Sequence, residues 1–102
     1  GRSGQAVGEK LWSLSERHQV IVISHLPQIA AFAGAHYRIT KLERDGRTET
    51  RVDLLDDAER VDELAAMLDG QPVTAASREN ARVMLERVHQ WQRETAVRLT
   101  AV

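Results

Sequence analysis

Ser24-His25 is the pair of side chains in this 102-residue sequence best placed to do chemistry. It follows directly on Val20-Ile21-Val22-Ile23, four β-branched residues in a row, and reactive groups in α/β proteins gather where buried strands end at their carboxyl edge. A histidine there can move a proton near neutral pH or set an N–H against developing negative charge. The plainer reading is that His25 merely bridges strand and helix, and spacing alone does not choose between the two. His18, His36 and His89 fall in three other elements and no carboxylate joins them at ligand spacing, so no metal site is expected. Ser24 is not expected to act as a nucleophile with His25 as its base. Neighbours at a strand end point to opposite sides, and no G-x-S-x-G elbow surrounds the serine. Gly1-Arg2-Ser3-Gly4 heads a helix and can offer backbone N–H groups to a phosphate. It lacks the lysine of a P-loop and the G-x-G-x-x-G spacing, and a flexible chain end accounts for it better.

The elements that must position His25 are legible in order. Val7, Leu11 and Leu14 recur at helical spacing between Ser3 and about His18, with Glu9, Lys10, Glu16 and Arg17 off that stripe, which predicts an amphipathic helix. The β-branched run predicts a strand buried on both faces of a parallel sheet. Leu26-Pro27 then leads into a short helix over 28–33, with proline in its first turn and Gly34 just past its end. From Tyr37 the period becomes two, and Asp45-Gly46 marks the turn of a β-hairpin with one wet face. Asp56 followed by Glu59 forms a capping box for a third helix along Ala58, Val61, Leu64, Ala65 and Leu68, closed by Gly70 and Pro72. Ser77 is read as the cap of a fourth helix carrying Ala81, Met84, Leu85 and Val88, with fraying expected beyond Arg93. Helix followed by buried strand is half of a βαβ unit, and no earlier strand supplies the parallel neighbour. The chain therefore reads as a single unit, residues 1–102, truncated at its N-terminus.

Composition narrows the classes further. With 42% hydrophobic residues and a net charge of −1, the chain has the balance of one small globular domain and no bulk charge to hold nucleic acid. It has no cysteine, hence no disulfide framework and no thiolate zinc site. No secretory leader and no apolar run long enough to span a bilayer are read, so the expected location is cytoplasmic, away from membranes. Residues 53–69 hold seven acidic side chains and one arginine, while residues 38–51 hold five basic against three acidic. Both stretches read as solvated faces, because so small a positive excess neutralises few phosphates. Trp91 reads as the cover of a neighbouring side chain rather than a base-stacking platform.

The strand with Ser24-His25-Leu26-Pro27-Gln28-Ile29-Ala30 resembles the V-x-x-[ST]-H-L-P-Q-[VI]-A segment of the RecN family, bacterial DNA double-strand-break repair ATPases related to the structural-maintenance-of-chromosomes proteins. His36-Tyr37, Lys41, Thr48-Glu49-Thr50, Glu63-Leu64-Ala65-x-Met67-Leu68-x-Gly70 and Ala81-x-x-x-Leu85 resemble the family's C-terminal stretch in order and spacing. The resemblance implies an α/β fold, the C-terminal part of an ABC/SMC-type P-loop ATPase head. Its implied order is helix, buried parallel strand, helix, β-hairpin and two C-terminal helices. It implies that His25 is the switch histidine facing the γ-phosphate or attacking water of an ATP held between two heads. The implied partners are the N-terminal part of the same head, a second head in an ATP-dependent dimer, and DNA through the parent protein. The implied location is the bacterial cytoplasm, on the nucleoid during repair. ATP and Mg²⁺ would be cofactors of the intact parent. Because no G-x-x-x-x-G-K-[ST], L-S-G-G or strand-ending acidic residue occurs in this sequence, the chain alone should neither hydrolyse ATP nor hold it tightly.

Two rival functions follow from the same residues. One is a non-enzymatic module that holds a protein or DNA partner by its hairpin edge or by the helix spanning Arg78 to Arg98. The other is the equivalent part of an ABC-type ATPase unconnected with repair, which would lack the Leu26-Pro27-Gln28 continuation.

Overall fold

The computed structural model describes residues 2–100. Helix α1 (Arg2–Ser15) is followed by the single-turn helix α2 (Pro27–Ala30), strands β1 (Tyr37–Arg44) and β2 (Arg47–Leu54), and helices α3 (Asp57–Asp69) and α4 (Ala75–Thr100). The fold is thus a mixed one of helices and a two-stranded antiparallel hairpin.

The core forms where α2, α3 and α4 meet. Ala31, Phe32, Leu64, Ala65, Ala81, Leu85 and Val88 are buried together, with Trp12, Val61, Leu68, Met84 and Trp91 packed around them. Trp91 meets Trp12 edge to face at a centroid distance of 5.4 Å and Phe32 at 5.7 Å, the geometry that ring quadrupoles prefer. Its expected role as a cover is the one it takes.

Local chemistry explains the boundaries. Asp56 Oδ1 accepts from the Glu59 N–H at 2.8 Å while Glu59 Oε1 accepts from the Asp56 N–H at 3.0 Å, so both ends of the expected capping box close. Gly70, at a φ of 79°, ends α3 in a conformation open to glycine. The cap of α4 falls elsewhere than expected. Thr74 Oγ1 accepts from the Ser77 N–H at 3.1 Å, and the Thr74 N–H donates to Ser77 Oγ at 2.8 Å, so threonine caps the helix and Ser77 lies buried inside its first turn. The helix continues to Thr100, past the predicted fraying point at Arg93.

Three expectations are corrected. The inward face of α1 is Gly4 and Gly8, with Leu11 and Trp12 half-buried, while Val7 and Leu14 face solvent. The reason is close approach: a Cβ on Gly8 would stand 2.3 Å from the Phe32 ring. The buried parallel strand is not formed. Residues 19–24 make no ladder, the sheet of the described residues is the hairpin alone, and Ile21 and Ile23 are 84% and 86% exposed. A strand exists only through a neighbour that takes its N–H and C=O groups, and these residues have none. Finally, the hairpin turns its apolar face outward. Tyr37 pairs with Leu54 and Ile39 with Val52, all four exposed, whereas Arg38, Thr40, Leu42 and Asp53 on the other face are half-buried. The turn itself is as expected, with Asp45 and Gly46 both at positive φ.

Candidate functional site

His25 lies on an exposed bend between the unpaired run and α2. Ser24 and Leu26 shape that bend: the Leu26 N–H donates to Ser24 Oγ at 3.0 Å, and Leu26, in extended conformation at the N-cap of α2, gives its carbonyl to the Ile29 and Ala30 N–H groups at 3.1 Å each. Pro27 occupies the first helical position and is buried, which suits its fixed φ and missing N–H. The Ser24 hydroxyl thus accepts a backbone hydrogen bond, and the His25 imidazole is left exposed with no side-chain hydrogen bond among the described residues.

The far end of α2 is held from a distance. One terminal nitrogen of Arg60, on α3, donates to the carbonyls of Ala30 at 3.2 Å, Ala31 at 3.0 Å and Ala33 at 2.7 Å. Gln92 Nε2, on α4, donates to the Phe32 carbonyl at 3.1 Å. A cation suits this place, since the N–H groups of one terminal nitrogen meet carbonyls gathered at the negative end of a helical turn, while the Arg60 Nε is buried without a hydrogen-bond partner. Burial disfavours its charge and Asp57 opposes that effect. His36 sits nearby, and burial first and the Arg60 charge second push its imidazole below the ordinary histidine value, against the pull of Glu63. Its Nδ1 is buried without a hydrogen-bond partner, and its carbonyl accepts from the Leu55 N–H at 2.9 Å where the hairpin closes.

The other candidate features stay apart. Arg2, Ser3 and Gly4 are wound into α1, with Gly4 buried against Gln28, while Gly1 lies outside the described residues. No three histidine or acidic side chains converge on a possible metal position among the described residues. A concavity lined by Gln5, Gln28, Phe32, Met84, Arg87 and Trp91 does not include His25. No helix of the described residues is long and apolar enough to cross a membrane.

An exposed histidine on a turn anchored to a helical core defines a small helix-and-hairpin unit, and its relatives are bacterial DNA repair proteins. The particular protein they share is RecN, to which this chain is related over most of its length. It is 44% identical over 86 residues to the DNA repair protein RecN of Halalkalibacterium halodurans, a match covering 84% of this chain and 15% of that protein. It is 42% identical over 90 residues to RecN of Bacillus subtilis, covering 88% of this chain and 16% of the relative. With RecN of Deinococcus radiodurans the identity is 46% over 85 residues, 83% of this chain and 15% of the relative. The resemblance seen in the histidine segment and the C-terminal motifs therefore holds, and the chain spans about 15% of the length of the curated relatives it matches. No protein-family model matches the chain.

Proposed function

We propose that this chain is the C-terminal part of a RecN-like ATPase head of the ABC/SMC type, contributing His25 to a composite site that binds and hydrolyses ATP during DNA double-strand-break repair. The observation that carries this reading is the identity to RecN over more than four fifths of the chain. The sequence carries no G-x-x-x-x-G-K-[ST] or L-S-G-G motif, so nucleotide and Mg²⁺ would be held by the rest of the head and by a second head. His25 fits the part of a single donor, being exposed, free of other hydrogen bonds, and mounted on a turn fixed at one end. Bound ATP would supply a phosphoryl group whose transfer redistributes negative charge over its equatorial oxygens and onto the leaving oxygen, and an imidazole N–H aimed there would favour the transition state over the ground state. The exposed Ile21 and Ile23 support the same reading, since a β-branched run without a ladder is suited to joining a sheet made elsewhere.

The test is His25→Ala in the full-length protein. Turnover should fall on the order of 10²-fold while ATP affinity shifts several-fold at most and the melting temperature holds. A lowered melting temperature with turnover intact would assign His25 a bridging role instead. The outward apolar face of the hairpin, Tyr37, Ile39, Val52 and Leu54, favours a second reading, a non-enzymatic module for a protein partner. Full ATP turnover in the His25→Ala protein, together with loss of a partner on substitution of Ile39 and Val52, would favour it.

A further inference from the structure

We infer that Arg60 is the positioning residue of the His25 turn, acting through α2 from thirty residues and more away. This rests on the reading of His25 as a donor to ATP. A four-residue helix cannot hold itself, because a single turn carries the cost of nucleation with almost none of the bonds that offset it. Here α2 persists because its ends are tied. At its start, Leu26 joins Ser24 to the helix, its N–H donating to Ser24 Oγ and its carbonyl accepting from the Ile29 and Ala30 N–H groups. At its end, the carbonyls of Ala30, Ala31 and Ala33 converge on one nitrogen of Arg60.

The remaining anchors act beside that clamp. Ala31 and Phe32 are buried, and the Phe32 carbonyl takes its bond from Gln92. Upstream of His25, residues 19–23 touch no ladder. Within this chain the orientation of the imidazole is therefore set from the α2 side, and Arg60 is the charged group that sets where α2 ends. It forms no carboxylate ion pair within 4 Å among the described residues, and the hydrogen bonds of its one engaged terminal nitrogen all go to backbone carbonyls, while its Nε is buried without a partner. Misplacement of a charge-directed donor by a fraction of its working distance is enough to lower turnover strongly while leaving substrate binding nearly intact.

The experiment compares wild type, His25→Ala, Arg60→Lys, Arg60→Gln and the Arg60→Lys, His25→Ala double variant in the full-length RecN-like protein. Arg60→Lys keeps the positive charge but not the planar fork, and it is the variant read if Arg60→Gln fails to fold. Arg60→Lys should lower kcat about tenfold or more with KM for ATP changed less than about threefold. Amide exchange over residues 29–33 in nucleotide-free protein should quicken about tenfold or more. The double variant should turn over no more slowly than His25→Ala, since both changes remove the same contribution. Normal kcat in Arg60→Lys beside a crippled His25→Ala overturns the inference and leaves the His25 reading standing. If His25→Ala is itself fully active, that reading falls and the link from Arg60 to chemistry falls with it. Unchanged exchange over 29–33 in Arg60→Lys overturns the clamp whatever turnover does.

Discussion

His36 is the titratable side chain whose surroundings make acidity matter. Burial and the neighbouring Arg60 charge lower its proton affinity in the folded chain, with Glu63 opposing, so the unfolded chain binds the proton more readily. Where the unfolded state holds more protons, stability rises with pH. The contribution is therefore fully present above the ordinary imidazole value of about 6.5 and is lost as pH falls through and below it. Urea unfolding at pH 7.5 and 5.5 should show a lower midpoint at the acid end, and His36→Asn should flatten that difference. A midpoint difference of equal size in the variant would exclude His36 as its source. His25 could be singled out from sequence because an apolar run ended at it. Arg60 could not, since its three acceptors lie 27 to 30 residues away and no local pattern signals a contact of that range. The same distance hid the environment of His36.

Local signals carried through at the level of elements, and faces did not. The Asp56-Glu59 box and the Asp45-Gly46 turn depend on atoms three residues apart or fewer, and both formed as read. The fourth helix was read from its apolar period, but its cap was misplaced by three residues because Thr74 and Ser77 can each play either part in one reciprocal pair. Helix α1 was read by its apolar stripe, yet it packs by Gly4 and Gly8, residues that carry no hydrophobic signal. Their value lies in what is missing. Gly8→Ala in an open helix would gain about 1 kcal/mol, but its methyl group would enter the Phe32 ring, and overpacking of that kind costs about 1–3 kcal/mol. The variant should therefore show no net gain and a loss of up to about 2 kcal/mol in urea unfolding. A gain in stability would mean that α1 and α2 do not pack this closely. The outward apolar face of the hairpin was unreadable for a related reason: alternation tells which residues share a face, not which face finds a partner.

At the scale of the molecule, the described residues form a helical core and leave apolar surface uncovered at Ile21, Val22 and Ile23 and on the Tyr37, Ile39, Val52 and Leu54 face. Sequence reading takes the run for a strand buried between two neighbours, and among the described residues it pairs with none. In isolation the chain should self-associate as concentration rises, since unpaired β-branched backbone is a template for pairing. Sedimentation over a hundredfold concentration range should show this, and Ile21→Lys with Ile23→Lys should reduce it. Monomer behaviour throughout the range would count against an open strand. The hold of α4 on Phe32 has a further consequence, seen when the chain is cut. Trp91 packs on the Phe32 ring and Gln92 bonds its carbonyl, so tryptic cleavage after Arg93 spares both contacts, whereas cleavage after Arg87 removes both. The chain thus has a sharp boundary in tolerated length, and shortening it across Trp91 and Gln92 would loosen a turn more than sixty residues earlier.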